Sequence, residues 1–286
     1  MSVGMRVGMN VGMGVGLVVG VLVGAAGLGG CSGFEINQNA QGDGLFDMLF
    51  TQPTAEEYLA DAQDPFDADR RYRGTLKLSS MSFGGEPVYV SLYAKNAEDD
   101  DASVRAAACK ALGRHGGTEQ GALLAKLLRD PDSGVRVEAA KGLQRIHTPD
   151  SVEALLMASR EPESVASGVT EEDPEVRAEA SLALAQYRER RVIQGLIAGL
   201  GDSRLSVNRN ALVSLRVLTG QDLGYDRGVW LEWLKSTKDP FAAAGIFQYP
   251  AYSREKWYIE YLPLVPKPPN ESSSTPAGMP LSPQGL

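Results

Sequence analysis

Between residues 64 and 218 the apolar positions return in one register. Val104, Ala108 and Leu112 stand four apart, and the same trio recurs as Val135, Ala139, Leu143 and as Val176, Ala180, Leu184. Val207, Ala211 and Leu215 continue the series, while Gly74 and Leu78 after Arg70-Arg71 open it in weaker form. Positions 0, 4 and 8 lie close together on an α-helix, so each stretch predicts a helix with one apolar seam. The alanine at the centre of each seam marks a close approach. A second amphipathic run follows each seam: Leu123, Leu124, Leu127 and Leu128; then Val152, Leu155 and Leu156; then Val192, Ile193, Leu196, Ile197 and Leu200. Neither helix of such a pair can hide its apolar side alone, and stacking the pairs makes one continuous core.

The five units start at residues 70, 104, 135, 176 and 207, at spacings of 34, 31, 41 and 31. The extra length before the fourth unit falls in Ser159 to Thr170, which reads as a surface loop. Asp67, Asp101, Asp132 and Asp173 each stand three residues before the unit start, where a carboxylate caps the first free amides of a helix. In the first unit, Phe83 to Val88 (F-G-G-E-P-V) predicts the turn into a second helix carrying Leu92 and Tyr93. After Leu218 the register stops. Asp226 there predicts the cap of a short helix with Trp230, Trp233 and Leu234 on one face, covering the exposed end of the core. The same two rings anchor a partner if that face is left open.

Paired helices carrying D-x-x-V-R-x-x-A-x-x-x-L, with Ala111 to Gly116 (A-L-G-R-H-G) closing one of them, resemble HEAT repeats of the phycobilisome-lyase-like group. The resemblance covers about residues 64–218 and is most specific in the second to fourth units. It implies an all-α fold: a right-handed α-α superhelix (HEAT/armadillo-like solenoid) of about five helix pairs, whose concave surface binds a protein. Some members of this group are bilin lyases or isomerases, so the resemblance also implies an alternative, a bilin-lyase-like or other small-molecule enzyme. That chemistry needs an accessible nucleophile, acid or base in the groove. Cys109, beside Ala108, reads as a small buried hydrophobe. His115 and His147 close first helices, where capping or exposure is the simpler role. The acidic run Glu98 to Asp101 reads as a solvated helix N-terminus rather than a calcium loop. The expectation is therefore a binding protein, with no catalytic residue, no cofactor and no metal site.

Composition narrows the partner. With 28 Lys+Arg against 36 Asp+Glu the net charge is −8, which disfavours nucleic acid held by bulk electrostatics. Two cysteines and two histidines leave little for a disulfide framework or a zinc site. Val7 to Phe34 is free of charge and long enough to cross a bilayer, and it ends in Leu28-Gly29-Gly30-Cys31. That ending resembles a bacterial lipobox, which implies cleavage after residue 30 and acylation of Cys31; a retained membrane helix is the competing reading. Ser32 lacks the aspartate of an inner-membrane retention signal, so the resemblance implies the outer membrane, with the folded part facing the periplasm.

The expected layout is a signal peptide (1–30), a flexible tether (31–53), the repeat solenoid with its cap (54–238), an aromatic-rich extension (239–262) and a disordered Pro/Ser tail (263–286). The extension holds Phe241, Phe247, Tyr249, Tyr252, Trp257, Tyr258 and Tyr261, and it either folds back along the repeats or docks an envelope protein. Arg105, Arg136 and Arg177 recur in register, with Asn208 in the fifth place. They form either a ladder of structural ion pairs, the favoured reading, or a basic stripe for a ligand. The candidate partner-binding residues are thus Arg105, Arg136, Arg177, Trp230, Trp233, Tyr249, Tyr252 and Trp257, and the partners are an unidentified envelope protein and the membrane reached through the lipid.

Overall fold

The computed structural model describes residues 54–162, 171–251 and 272–280. The signal peptide, Cys31 and the tether lie outside them, as do Tyr252, Trp257 and most of the loop before the fourth unit. The chain divides into two units, Met1–Thr54 and Ala55–Leu286, and the fold described here is that of the second.

Among the described residues the second unit is all-α, as the apolar register predicts. A lead helix α1 (Ala55–Ala62) packs on α2 (Ala68–Ser80), which pairs with α3 (Pro87–Asn96). The remaining pairs are α4 (Ala102–His115) with α5 (Gly121–Leu127), α6 (Ser133–Leu143) with α7 (Val152–Ala158), α8 (Pro174–Ala183) with α9 (Arg190–Gly199), and α10 (Leu205–Thr219) with α11 (Arg227–Ser236). The first helices α2, α4, α6, α8 and α10 pack each on the next, and the second helices form the other layer. None of the described helices is long and apolar enough to cross a membrane.

Local chemistry explains the boundaries. The carboxylates of Asp67, Asp101, Asp132, Asp173 and Asp226 each accept a backbone N–H from the first turn of the helix that follows. Pro87 and Pro174 occupy the first turns of α3 and α8, where a missing N–H costs nothing. Gly220, at φ 67°, ends α10 in the left-handed region. The Val, Ala and Leu of the seams of α4, α6, α8 and α10 are wholly buried. They let the helices come so close that a Cβ on Gly113 of α4 would lie 2.7 Å from Gly142 Cα of α6. Trp230 is also wholly buried, and its Nε1 donates to the Gly224 carbonyl at 2.8 Å. Trp233 packs on it edge-on at 5.8 Å, so α11 closes the apolar end of the stack.

The chain beyond α11 turns back across the stack. Gly245 N donates to the Val217 carbonyl at 2.7 Å, Phe247 is buried against Leu182 and Ala185, and Arg145 sits 4.9 Å over the Tyr249 ring. The disorder expected for all of 263–286 needs correction: residues 272–280 are held by main-chain hydrogen bonds, and Pro276 is buried. Proline and serine deprive a segment of a core of its own, but they do not prevent it from pairing with backbone groups that another element leaves open.

Candidate functional site

Three edges of the stack carry polar chemistry. The first is the row of loops that leads into each first helix. Arg71, Arg105, Arg136 and Arg177 each make a two-pronged pair with an acid of the next unit: Asp99, Asp130, Glu171 and Asp202, at 2.7 to 3.1 Å. The Nη1 of Arg105, Arg136 and Arg177 donates to two carbonyls of its own loop, one of them belonging to the acid that receives the preceding arginine. Each acid also accepts the N–H of the residue two places on, which fixes the loop.

The result is one continuous chain from Arg71 to Asp202. Asn208 terminates it, donating to the carbonyls of Gly199, Leu200 and Asp202. Burial raises the Asp99 and Asp130 carboxyls, but hydrogen bonds from Arg71 and Arg105, and from the N–H groups of Asp101 and Asp132, outweigh it and hold both below the usual carboxylate range. Hydrogen bonds to Asp130 and Glu171 hold Arg105 and Arg136 above their ordinary value.

This geometry withdraws Arg105, Arg136 and Arg177 as ligand contacts, because their donors are spent inside the stack. Trp230 is withdrawn for the same reason, being core. Trp233 is half-buried against it, and Tyr249 is engaged by Arg145 and by the returning tail. Cys109 is wholly buried, and burial pushes its thiol up to about 12. His115 Nε2 lies 2.6 Å from the Ser79 carbonyl, tying α4 to α2. Burial holds His147, stacked 4.7 Å from Tyr187, below the usual imidazole range, with Gln186 partly offsetting it.

The second edge is the face of the second helices. A trough of about 630 Å³ lies between α5 and α7, lined by Ala122, Ala125 and Ala154 and by the charged Lys126, Arg129 and Asp150. A further hollow of about 400 Å³ shares Arg129, Asp130, Pro131 and Ala154 with it and runs on to Met157 and Glu172. Exposed ion pairs Lys126–Glu98 (3.1 Å) and Arg191–Glu153 (2.9 Å) bridge neighbouring units on this face. Small side chains make it open and shallow, and mixed charges line it. Among the described residues no group of His, Cys, Asp and Glu is placed to hold a metal ion. The third edge, formed by the turns between the helices of each pair, holds the returning extension and tail.

Reasoning from the sequence missed the acids of the ladder. Their signal was present: Asp99, Asp130 and Glu171 each stand two residues before a capping aspartate, in register with the arginines.

A family described as HEAT repeats matches residues 91–171, from α3 through the third pair to the start of the fourth. Among solved structures, an engineered protein is 18% identical over 68% of this chain and 99% of its own, with a TM-score of 0.45. A designed armadillo repeat protein is 17% identical over 66% of this chain and 95% of its own, with a TM-score of 0.45. The complex of CpcE and CpcF of phycocyanin lyase from Nostoc sp. PCC7120 is 20% identical over 64% of this chain and 81% of that one, with a TM-score of 0.39. No protein of curated function matches the chain.

Proposed function

We propose that this chain is a lipid-anchored scaffold of the bacterial cell envelope that holds a protein partner against the face of its second helices. One observation carries the reading: the hollow between α5 and α7 is open to solvent, and Ala122, Ala125 and Ala154 line it together with side chains of both charges. Such a surface accommodates an extended polypeptide, whose backbone needs room and whose side chains meet the rim, better than a small molecule that requires enclosure. The engagement of Cys109, His115 and His147 in packing and structural hydrogen bonds supports binding over catalysis. The anchor rests on the sequence Leu28-Gly29-Gly30-Cys31, and the outer-membrane assignment on Ser32.

The test is affinity capture from detergent-solubilised envelopes with the wild-type chain and with Ala125→Arg and Ala154→Arg variants, whose long side chains would fill the trough. The expected result is loss of a specific partner with the melting curve unchanged. The same partner retained by both variants would remove the trough from the interaction. Metabolic labelling with a fatty acid tests the anchor, which requires incorporation into the wild-type chain and none into Cys31→Ser.

A further inference from the structure

The turn that follows α6 leaves two backbone groups that no helix uses, the carbonyl of Arg145 and the N–H of His147. Both are taken by one residue of the chain's own tail. Ala277 N donates to the Arg145 carbonyl at 2.8 Å, and His147 N donates to the Ala277 carbonyl at 2.8 Å, which sets Ile146 and Ala277 side by side in parallel. The opposite side of the segment is also paired. Tyr249 N donates to the Ser274 carbonyl at 3.0 Å, and Ser273 Oγ donates to the Tyr249 carbonyl at 2.7 Å. Residues 273–277 therefore lie between the turn of the third unit and the returning extension, as an added strand lies against an open edge.

Main-chain pairing alone does not choose a sequence, but the side-chain surroundings do. Pro276 is buried. Gly278 has φ +80°, and a Cβ there would overlap Thr118 Cγ2 and come within 3.1 Å of the His147 carbonyl. A side chain is thus excluded at this place both by conformation and by space. Met279 packs on the cluster of Leu182, Ala185 and Phe247. Three successive turns contribute: Thr118 from the second unit, Arg145 and His147 from the third, and the end of α8 from the fourth. The ladder leaves this edge untouched, because it runs along the loops at the opposite ends of the first helices.

We propose that this edge is a binding site for a Pro-Ala-Gly-Met turn, closed by the Met279 N–H donating to the Pro276 carbonyl at 3.2 Å, and that residues 276–279 of the same chain are its resident, exchangeable occupant. The site lies apart from the second-helix trough and does not depend on what binds there. Its specificity is set by the two backbone groups that Ala277 satisfies, the steric gate at Gly278 and the apolar seat of Met279. A polypeptide that presents the same four residues as a turn competes for it.

The test uses the full chain with Gly278→Val, which evicts the tail from its own site, and a fluorescein-labelled peptide of residues 272–280 as the probe. Fluorescence anisotropy is expected to show saturable binding to the variant and at least tenfold weaker binding to the wild-type chain. A probe peptide carrying the same Gly→Val change should bind neither. Ala277→Pro, which removes the N–H given to Arg145, is the second evicting variant and should behave alike. Absence of binding to both variants, with far-UV circular dichroism and melting like wild type, would overturn the site. Equal binding to wild type and variants would overturn the resident tail. A wild-type dimer in sedimentation that either variant converts to monomer would overturn occupancy by the same chain.

Discussion

Asp202→Ala is the most exacting perturbation of the ladder. The Arg177–Asp202 pair is its most enclosed rung, with the two side chains 3% and 1% exposed. Asp202 receives Arg177 Nε at 2.8 Å and Nη2 at 3.1 Å, and also the N–H of Arg204 at 2.8 Å. Without the carboxylate, the guanidinium keeps only the carbonyls of Glu171 and Glu172, so a buried charge loses its counter-charge. Breaking a pair of this kind by removing one partner costs about 3–5 kcal/mol. With a urea m-value on the order of 2 kcal/mol/M, the midpoint falls by roughly 1.5–2.5 M.

The loss falls between the fourth and fifth units, and repeat stability is a sum of unit and nearest-neighbour contributions. In a Trp257→Phe background the remaining tryptophans, Trp230 and Trp233, report on the cap, while far-UV circular dichroism reports on every helix. The variant should therefore show a fluorescence transition at lower urea than its circular dichroism transition. The same measurement on Lys126→Ala, whose bridge to Glu98 is 72% and 61% exposed, should give no measurable change. Coincident transitions for Asp202→Ala within about 0.3 M of wild type would refute the ladder as a coupling device.

Ala139→Leu and Ala180→Leu overpack seams that are wholly buried, and thermal melts should report a loss of about 1–3 kcal/mol for each. Because burial holds His147 below its unfolded value of 6.5, the unfolded chain takes up a proton that the folded chain refuses. Stability should thus be full above pH 6.5, decline as pH falls below it, and level off beneath the lower folded value; Asn at position 147 should flatten this limb in a pH series of melts. Asp99 and Asp130 act in a separate window: their contribution is full above 3.8 and is lost as pH falls through their lower folded values, so Asp130→Asn should lower stability above that window and flatten the acid limb. Cys109 should react with an aromatic disulfide reagent only at the rate of unfolding, and prompt reaction in the native state would show that its seam opens.

The parts of the fold legible in the sequence were those encoded within one helix. A seam at offsets of four residues, or a carboxylate three places ahead of it, is a local pattern, and both were found where the register put them. The ladder is not local. Arg105 meets an acid 25 residues on, and Arg177 does the same, but Arg136 reaches 35 residues to Glu171. The longer reach spans the insertion before the fourth unit, so no constant spacing relates arginine to acid. What is constant is the place of each acid, two residues before a cap, and that becomes meaningful only when neighbouring loops are seen side by side. The tail was misread for a related reason. Its composition is that of a segment unable to form a core, whereas its order depends on backbone groups at residues 145 and 147 that no composition reveals.

The ladder and the tail together narrow where a partner engages this stack. Along the loops, arginine and acid satisfy one another, and Asn208 ends the series by donating to the carbonyls of Gly199, Leu200 and Asp202 without carrying a charge. Along the turns, the returning extension and residues 273–279 take up the open backbone groups and cover the apolar seat around Phe247. The first edge is thus committed to contacts within the chain, and the second is open to a partner only where it displaces the resident tail. The second-helix face retains exposed Lys126, Arg129, Asp150 and Glu153 beside Ala122, Ala125 and Ala154, and its ion pairs are the solvent-screened kind that a partner's charges displace at small cost. An interaction surface needs polar groups free to be re-paired and apolar area free to be covered, and this face provides both.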